Sequence, residues 1–410
     1  MHGAGPEGPA AVIAARREAA LARPTQPPTI PEKHVMTWDS PGPPNGPQAF
    51  SKWEPAGQWL TWALADPDYV SRAKAAGILT ATYLNPNRQR AGEPMWTNDS
   101  STFAHDCSGA RILIEPNPMP DTYLMDPHST HLRSLWKTAY ENLLKAGHAY
   151  DADFDDTADE IHKALASPCR WNQTDWTNAS NAMNASFAHP IIYNGLMFYT
   201  VSDGIHLSPV MALNTTAMGG MAEDCYVSRN TDPFVRTVYW QATEDTEIAQ
   251  ADRDRLFICQ STLYADAAAS ISLRTYYVAS FLLTYRVAYD MEDTSFRTPS
   301  ELHVMPESQL VVQHPVDTQP SDISKLQTAP GVYARQYDGC YIRGTLIGGC
   351  AVVVDSEKET SPLQPFPYPG QYHHTLKITG SGIIDGGAIS AAGPAPPAKL
   401  GGTQAVIAFP

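Results

Sequence analysis

The chain has 410 residues, 43% hydrophobic and 17% charged, which is enough apolar material for one large domain and a smaller one and excludes global disorder. Its formal net charge of -15 argues against nucleic acid as the main partner, because phosphate binding draws on Lys and Arg. No apolar run approaches the ~20 residues of a membrane-spanning helix, and residues 1–32, rich in Ala, Pro and Arg, read as a flexible lead-in without the apolar core of a signal peptide.

From residue 33 onward short apolar segments alternate with helical ones. Residues 34–39 (HVMTWD) predict a first strand. Residues 66–76 predict a helix, capped by Asp66 with Pro67 at its first position. Residues 78–84 (ILTATYL) predict a second strand and 122–126 (TYLMD) a third, followed by a helix over 130–146. The fourth strand falls at 150–155, the fifth at 190–194 (PIIYN) and the sixth at 218–223. A helix over 233–251 leads to the seventh strand at 256–260 (LFICQ), and a long helix covers 265–283. The eighth strand is expected between 285 and 305. Repeated strand–helix alternation predicts an α/β fold with a parallel sheet, and eight repeats fit a closed (β/α)8 TIM barrel over 33–305. A doubly wound open sheet is the alternative, but no Gly-rich phosphate loop follows the first strand. After residue 306 the composition shifts to Pro, Gln, Val and Tyr. Alternating segments at 332–336, 341–347, 351–355, 373–378 and 404–408 predict a small C-terminal antiparallel β-domain within 306–410.

The 6 cysteines, Cys107, Cys169, Cys225, Cys259, Cys340 and Cys350, include no CxxC, which disfavours a zinc ribbon or a thioredoxin-like redox motif. Their even number fits disulfides and an oxidising compartment, with buried free thiols as the alternative. Cys340 and Cys350, flanking a Gly-rich segment, are the first expected pair, and Cys169 with Cys225 is the second. Asn98, Asn172, Asn178, Asn184 and Asn214 each begin an Asn-X-Ser/Thr sequon.

The most informative stretch is Tyr150-Asp151-Ala152-Asp153-Phe154-Asp155-Asp156, which sets four carboxylates in a segment that otherwise reads as a buried strand. Each buried carboxylate needs a partner or a proton, a cost that folds accept mainly where chemistry needs it. In a barrel the active site lies at the C-terminal strand ends. Those ends carry Asp39, Asn85, Asp126, Asp155 with Asp156, Asn194, Glu223 and Gln260, a set suited to hydroxyl-rich ligands. Trp38, Tyr83, Trp96 and Tyr193 stand beside them as candidate stacking platforms for sugar rings.

Glycosidic-bond hydrolysis commonly uses two carboxyl groups, one protonating the leaving oxygen and one attacking the anomeric carbon or activating water. Asp156 on the fourth strand and Glu223 on the sixth are the candidate pair. Structural alternatives stand beside each: Asp156 as the N-cap of the segment that follows, and Glu223 as a surface residue near Cys225. A metal is the other reading of the acidic run, but an EF-hand DxDxDG pattern is absent, as are HExxH and GxSxG. No metal and no cofactor are expected. Asp151 and Asp153 are read as structural.

Two further stretches carry a family resemblance. Ala73-Lys74-Ala75-Ala76-Gly77-Ile78 followed by Tyr83-Leu84-Asn85-Pro86-Asn87 resembles the second βα unit of hypothetical glycosyl hydrolase barrels of the glycosyl hydrolase-like family 15 type. Tyr150-Asp151-Ala152 leading to Phe154-Asp155-Asp156 is similar to their DGxFxD fourth strand, with Ala152 in place of its Gly and Asp153 in place of an apolar residue. Ile192-Tyr193-Asn194-Gly195 resembles their fifth strand, and there is a more distant similarity to endo-α-1,4-polygalactosaminidase barrels. The resemblance implies a secreted, periplasmic or cell-envelope glycoside hydrolase acting on a polysaccharide or oligosaccharide, with Asp156 as first carboxylate and Glu223 as second. Asp39, Asn85, Asp126, Asp155, Asn194 and Gln260 would hold substrate hydroxyls. A non-catalytic carbohydrate-binding protein on the same scaffold and a metal-dependent hydrolase are the alternatives.

Overall fold

The computed structural model describes residues 35–37, 60–65, 67–114, 121–156, 164–169, 172–200, 204–207, 217–227, 234, 237–263, 271–286, 290–296, 305–380 and 386–410. Trp38, Asp39, Asp66, Asn214 and the 1–32 lead-in lie outside the described residues. The described residues within Leu64–Lys74 and Leu79–Ala222 form one compact unit, and those within Met1–Ala63, Ala75–Ile78 and Glu223–Pro410 form another.

In the first of these units, parallel strands are the frame. β3 (Leu79–Tyr83) pairs with β6 (Ala152–Asp155), Tyr83 standing opposite Phe154. β6 pairs with β7 (Ile191–Thr200), Asp155 opposite Tyr193, and β7 pairs with β9 (Gly219–Glu223). Every residue of β6 is buried, as strands covered on both faces are. β8 (Gly204–Leu207) returns antiparallel on β7.

The helices of this unit follow from local sequence. α2 (Thr130–Lys145) starts at Ser129, whose Oγ accepts from the Leu132 amide, and ends before Gly147 at a φ of 93°. It buries Leu132, Trp136 and Tyr140, spaced four apart, against Phe103, Met125, Met183, Phe187 and Ile191. α3 (Gln173–Ser186) opens with a capping box between Asn172 and Asp175. The helix expected over 66–76 is shorter, with one 3-10 turn at Pro67–Tyr69 and α1 at Val70–Ala75.

Two strand assignments change. Residues 122–126 are not a strand of the parallel set. β5 (Tyr123–Leu124) pairs antiparallel with β4 (Arg88–Gln89), forming a short ribbon in the excursion between β3 and α2. The parallel strand that the sequence reading lacks is β2 (Leu60–Leu64). A short apolar run shows strand propensity but not its partner, so periodicity alone cannot separate the two.

In the other unit, β1 (Val35–Thr37) pairs in parallel with β2 and with β11 (Asp290–Phe296), and β11 pairs in parallel with β10 (Leu256–Leu263). α4 (Thr237–Asp252) and α5 (Ile271–Thr284) accompany them. The C-terminal region is an antiparallel sheet. β12 (Leu310–Pro315), β14 (Val332–Ile342), β15 (Thr345–Asp355), β17 (Gln404–Phe409) and β16 (His374–Thr375) lie in that order, with β13 (Gln327–Ala329) on β14. α5 is fastened to it: Tyr337 donates to the Leu282 carbonyl at 2.6 Å, and Arg274, fully buried, pairs with Glu307 at 2.8 Å and donates to the Gly380 carbonyl. Parallel strands alternating with helices, followed by antiparallel sheets, make this an α/β chain with a C-terminal β region.

All six cysteines are paired, as Cys107–Cys169, Cys225–Cys259 and Cys340–Cys350. The expected Cys340–Cys350 pair is present. The expected Cys169–Cys225 pair is not: the Cys169 amide donates to the His105 carbonyl at 3.1 Å, which draws the 164–169 segment onto the 103–114 arm and presents it to Cys107. Among the described residues no helix is long and apolar enough to cross a membrane.

Candidate active site

Asp155 ends β6 and Asp156 occupies the turn that follows. Beside them, β3 ends at Tyr83 and the chain turns through Asn85-Pro86-Asn87-Arg88. Asn85 folds this turn: its Oδ1 accepts from the amides of Asn87 at 3.0 Å and Arg88 at 3.3 Å. Gln89 closes it, its Nε2 donating to the Asn85 carbonyl at 2.7 Å. The turn then delivers two side chains to the carboxylates. Asn87 Nδ2 donates to Asp155 Oδ1 at 2.8 Å, and Arg88 Nη2 donates to Asp156 Oδ2 at 3.3 Å.

Asp156 is 4% exposed and is held from three segments. Arg88 and the Tyr83 hydroxyl donate to Oδ2, and Asn194 Nδ2, from β7, donates to Oδ1 at 2.7 Å. Three donors converging on two oxygens suit a carboxylate anion and fix its plane. The Tyr83 ring is 44% exposed, but its hydroxyl turns inward. Burial of the hydroxyl holds its pKa well above the ordinary value, and the Asp156 carboxylate adds to that, so Tyr83 stays a donor. An open cleft adjoins this group, lined by Tyr83, Leu84, Asn85, Arg88, Gln89, Glu93, Pro94 and Met95.

Asp151 and Asp153 have structural partners. Asp151 pairs with Lys74 at 2.9 Å and accepts from the Thr80 amide at 2.9 Å, tying β3 to the entry of β6. Asp153 is fully buried and accepts from Trp136 Nε1 at 2.7 Å. Burial raises its pKa well above the usual carboxylate range, against the Trp136 hydrogen bond.

Of the other sequence candidates, the structure gathers Tyr83, Asn85, Asp155, Asp156 and Asn194 in one place. Asp126 loses the strand end that recommended it. It lies between β5 and α2, its Oδ1 accepting from the His128 amide at 2.9 Å and contacting His128 Nδ1 at 2.7 Å. Tyr193 is fully buried and leaves no ring face open to a sugar. Its ring passes so close to Gly220 that a Cβ there would come within 2.5 Å. Trp96 packs on Phe103 and Tyr123, with centroids at 5.2 and 5.8 Å.

Glu223 and Gln260 belong to the other unit. Glu223 is the last residue of β9, half-buried, and the chain turns immediately after it at Asp224, with a φ of 51°. Gln260 fixes that turn, its Oε1 accepting from the Asp224 amide at 3.4 Å and its carbonyl from the Cys225 amide at 3.1 Å. The Cys225–Cys259 disulfide locks the same two segments together. Among the described residues no three His, Cys, Asp or Glu side chains are grouped to hold a metal ion.

The strand-end pattern does not mark Arg88, which is a cation, or Asn87, which lies in the turn two residues beyond Asn85. The available signal was a Pro-containing turn directly after a strand, followed by a cation.

No family model and no curated protein matches the sequence. Solved structures do. The glycoside hydrolase domain of PelA from Pseudomonas aeruginosa is 14% identical, over 66% of this chain and 97% of that chain, with a TM-score of 0.45. Ega3 from Aspergillus fumigatus, in complex with galactosamine, is 10% identical over 67% and 94%, with a TM-score of 0.39. The galactosidase domain of the alpha-galactosidase-sucrose kinase AgaSK is 9% identical and covers 99% of this chain and 58% of that chain, with a TM-score of 0.50. This last similarity is one of fold, and it extends over nearly the whole chain.

Proposed function

We propose that the chain is a glycoside hydrolase acting on a polysaccharide or oligosaccharide, with Asp156 and Glu223 as its carboxyl pair. The observation that carries this reading is Asp156 itself. It sits just past the C-terminal end of a parallel strand and is held by Tyr83, Arg88 and Asn194, and Tyr83 and Arg88 also line an open cleft of mixed polar and apolar residues. A carboxylate so furnished with donors suits the nucleophile or base, and Glu223, at the end of β9, is assigned proton donation to the leaving oxygen. Asn85, Asp155, Asn194 and Gln260, with Asp39, are proposed to hold sugar hydroxyls, and Trp38 to stack on a sugar ring. The fold likeness to a galactosidase domain supports the hydrolase reading and the proposed closure of the parallel strands into a (β/α)8 barrel over 33–305, with 306–410 as an accessory β-domain. The three disulfides support a secreted or cell-envelope location.

The test is release of reducing ends from a polysaccharide panel. Asp156→Asn and Glu223→Gln keep shape and remove the ionisable group, and each is expected to lower the rate by ~100-fold or more. An unchanged rate in either variant refutes that residue's role.

A further inference from the structure

The sequons at Asn98, Asn172, Asn178 and Asn184 lie among the described residues, and the proposed hydrolysis uses none of them. Three of them, six residues apart, fall on or beside α3, and the helix sorts them. At 3.6 residues per turn, six residues rotate a side chain by about 240°. Asn178 and Asn184 therefore point in different directions. Asn178 is exposed, whereas Asn184 is 3% exposed on the face that buries Trp176, Ala179 and Met183. Both amide atoms of Asn184 are buried without a hydrogen-bond partner, so a substituent on its Nδ2 would have to pass through packed side chains.

Acceptor chemistry separates the exposed three. At Asn98 the sequon hydroxyl, Ser100 Oγ, is engaged by His105 Nε2 at 2.8 Å. At Asn178 the hydroxyl is that of Ser180, which is buried. At Asn172 the carboxamide and Thr174 are both exposed. Asn172 also caps α3, but with oxygen only: its Oδ1 accepts from the amides of Thr174 at 2.9 Å and Asp175 at 3.1 Å. Substitution on Nδ2 leaves that oxygen an acceptor, so a glycan and the capping box are compatible. Cys169, three residues upstream, is bonded to Cys107, and paired cysteines throughout fit the oxidising compartment in which such transfer occurs.

We propose that Asn172 is an N-linked glycan acceptor and that Asn184 stays unmodified. In the transfer, Asn172 Nδ2 bonds to the anomeric carbon of an oligosaccharide carried on a polyprenyl diphosphate. The carbon–oxygen bond to the diphosphate breaks, the diphosphate leaves with the electron pair, and Nδ2 releases one proton. No oxidant or reductant is consumed.

The experiment uses protein purified from its own source, treated with peptide-N-glycosidase in heavy-oxygen water and mapped by tandem mass spectrometry. Conversion of Asn172 to labelled Asp, with Asn184 unlabelled, is expected; Asn172 unlabelled, or Asn184 labelled, overturns the proposal. Thr174→Ala, produced in the same source, removes the sequon while keeping the Asn172 cap, and is expected to lower the intact mass by one glycan. An intact mass changed only by the substitution itself overturns the proposal as well. Neither readout depends on catalytic activity.

Discussion

Trp136 and Asp153 hold α2 to β6 through one buried hydrogen bond of 2.7 Å, and breaking it has a cost that can be worked out. Asp153 Oδ1 is buried without a partner, so Oδ2 relies on Trp136. Trp136→Phe keeps a ring to stack on Phe187, now 4.0 Å away between centroids, but removes the donor. A buried acceptor left unsatisfied costs about 1–3 kcal/mol. If the cost belongs to this bond, Trp136→Phe in an Asp153→Val background no longer incurs it, and the double-mutant cycle returns a coupling of about 1–3 kcal/mol. Urea unfolding followed by far-UV circular dichroism measures it; a coupling below about 0.5 kcal/mol refutes the reasoning. A pH series gives the second arm. Burial raises the folded-state pKa of Asp153 above its unfolded value of about 3.9. Its contribution is therefore complete below about pH 4 and is lost as pH climbs through the raised value. Asp153→Asn cannot ionise and flattens that part of the curve; parallel wild-type and variant curves would contradict it.

Arg88→Met removes a charge-assisted hydrogen bond to Asp156 worth about 1.5–3 kcal/mol, and is expected to lower kcat/KM about 10- to 150-fold on any polysaccharide the wild type cleaves. Unchanged kinetics would show that Arg88 does not hold the carboxylate. The disulfides differ in the loop each closes, with sequence separations of 62 for Cys107–Cys169 and 10 for Cys340–Cys350. Chain entropy then gives about 4 and about 3 kcal/mol, so the paired Cys→Ser variant of the first should unfold at lower denaturant than that of the second; the reverse order counts against the entropic account. Asp99 has its pKa lowered to about 2, first by the Ser101 amide and then by His131. Its help to the 99–102 turn is present above its ordinary pKa and fades as pH falls toward 2, read as a drop in the hydrogen-exchange protection of the Ser101 amide. Equal protection at pH 5 and pH 2 would refute the link.

Local pattern alone revealed the strand–helix alternation, α2, β6 and β10, the change of character near residue 306, and Asp155 with Asp156 at a strand's end. These are properties of a few neighbouring residues: apolar period, a cap, a terminating Gly147. The Cys340–Cys350 pair was legible for the same reason, since only ten residues and a turn separate the partners. What needed the tertiary structure was the choice of partner. Residues 60–64 and 122–126 look alike as strands, but one joins a parallel set and the other meets Arg88–Gln89. Cys169 finds Cys107 because the 164–169 segment returns to the 103–114 arm. Tyr83 and Tyr193 are equivalent as strand aromatics, yet one turns its hydroxyl onto Asp156 and the other is sealed over Gly220. The sequence by itself determined which residues carry charge at the strand ends and how the chain alternates. Only the fold decided that Arg88, Tyr83 and Asn194 converge on Asp156, because contacts between distant segments depend on how whole faces pack and not on the spacing within any one of them.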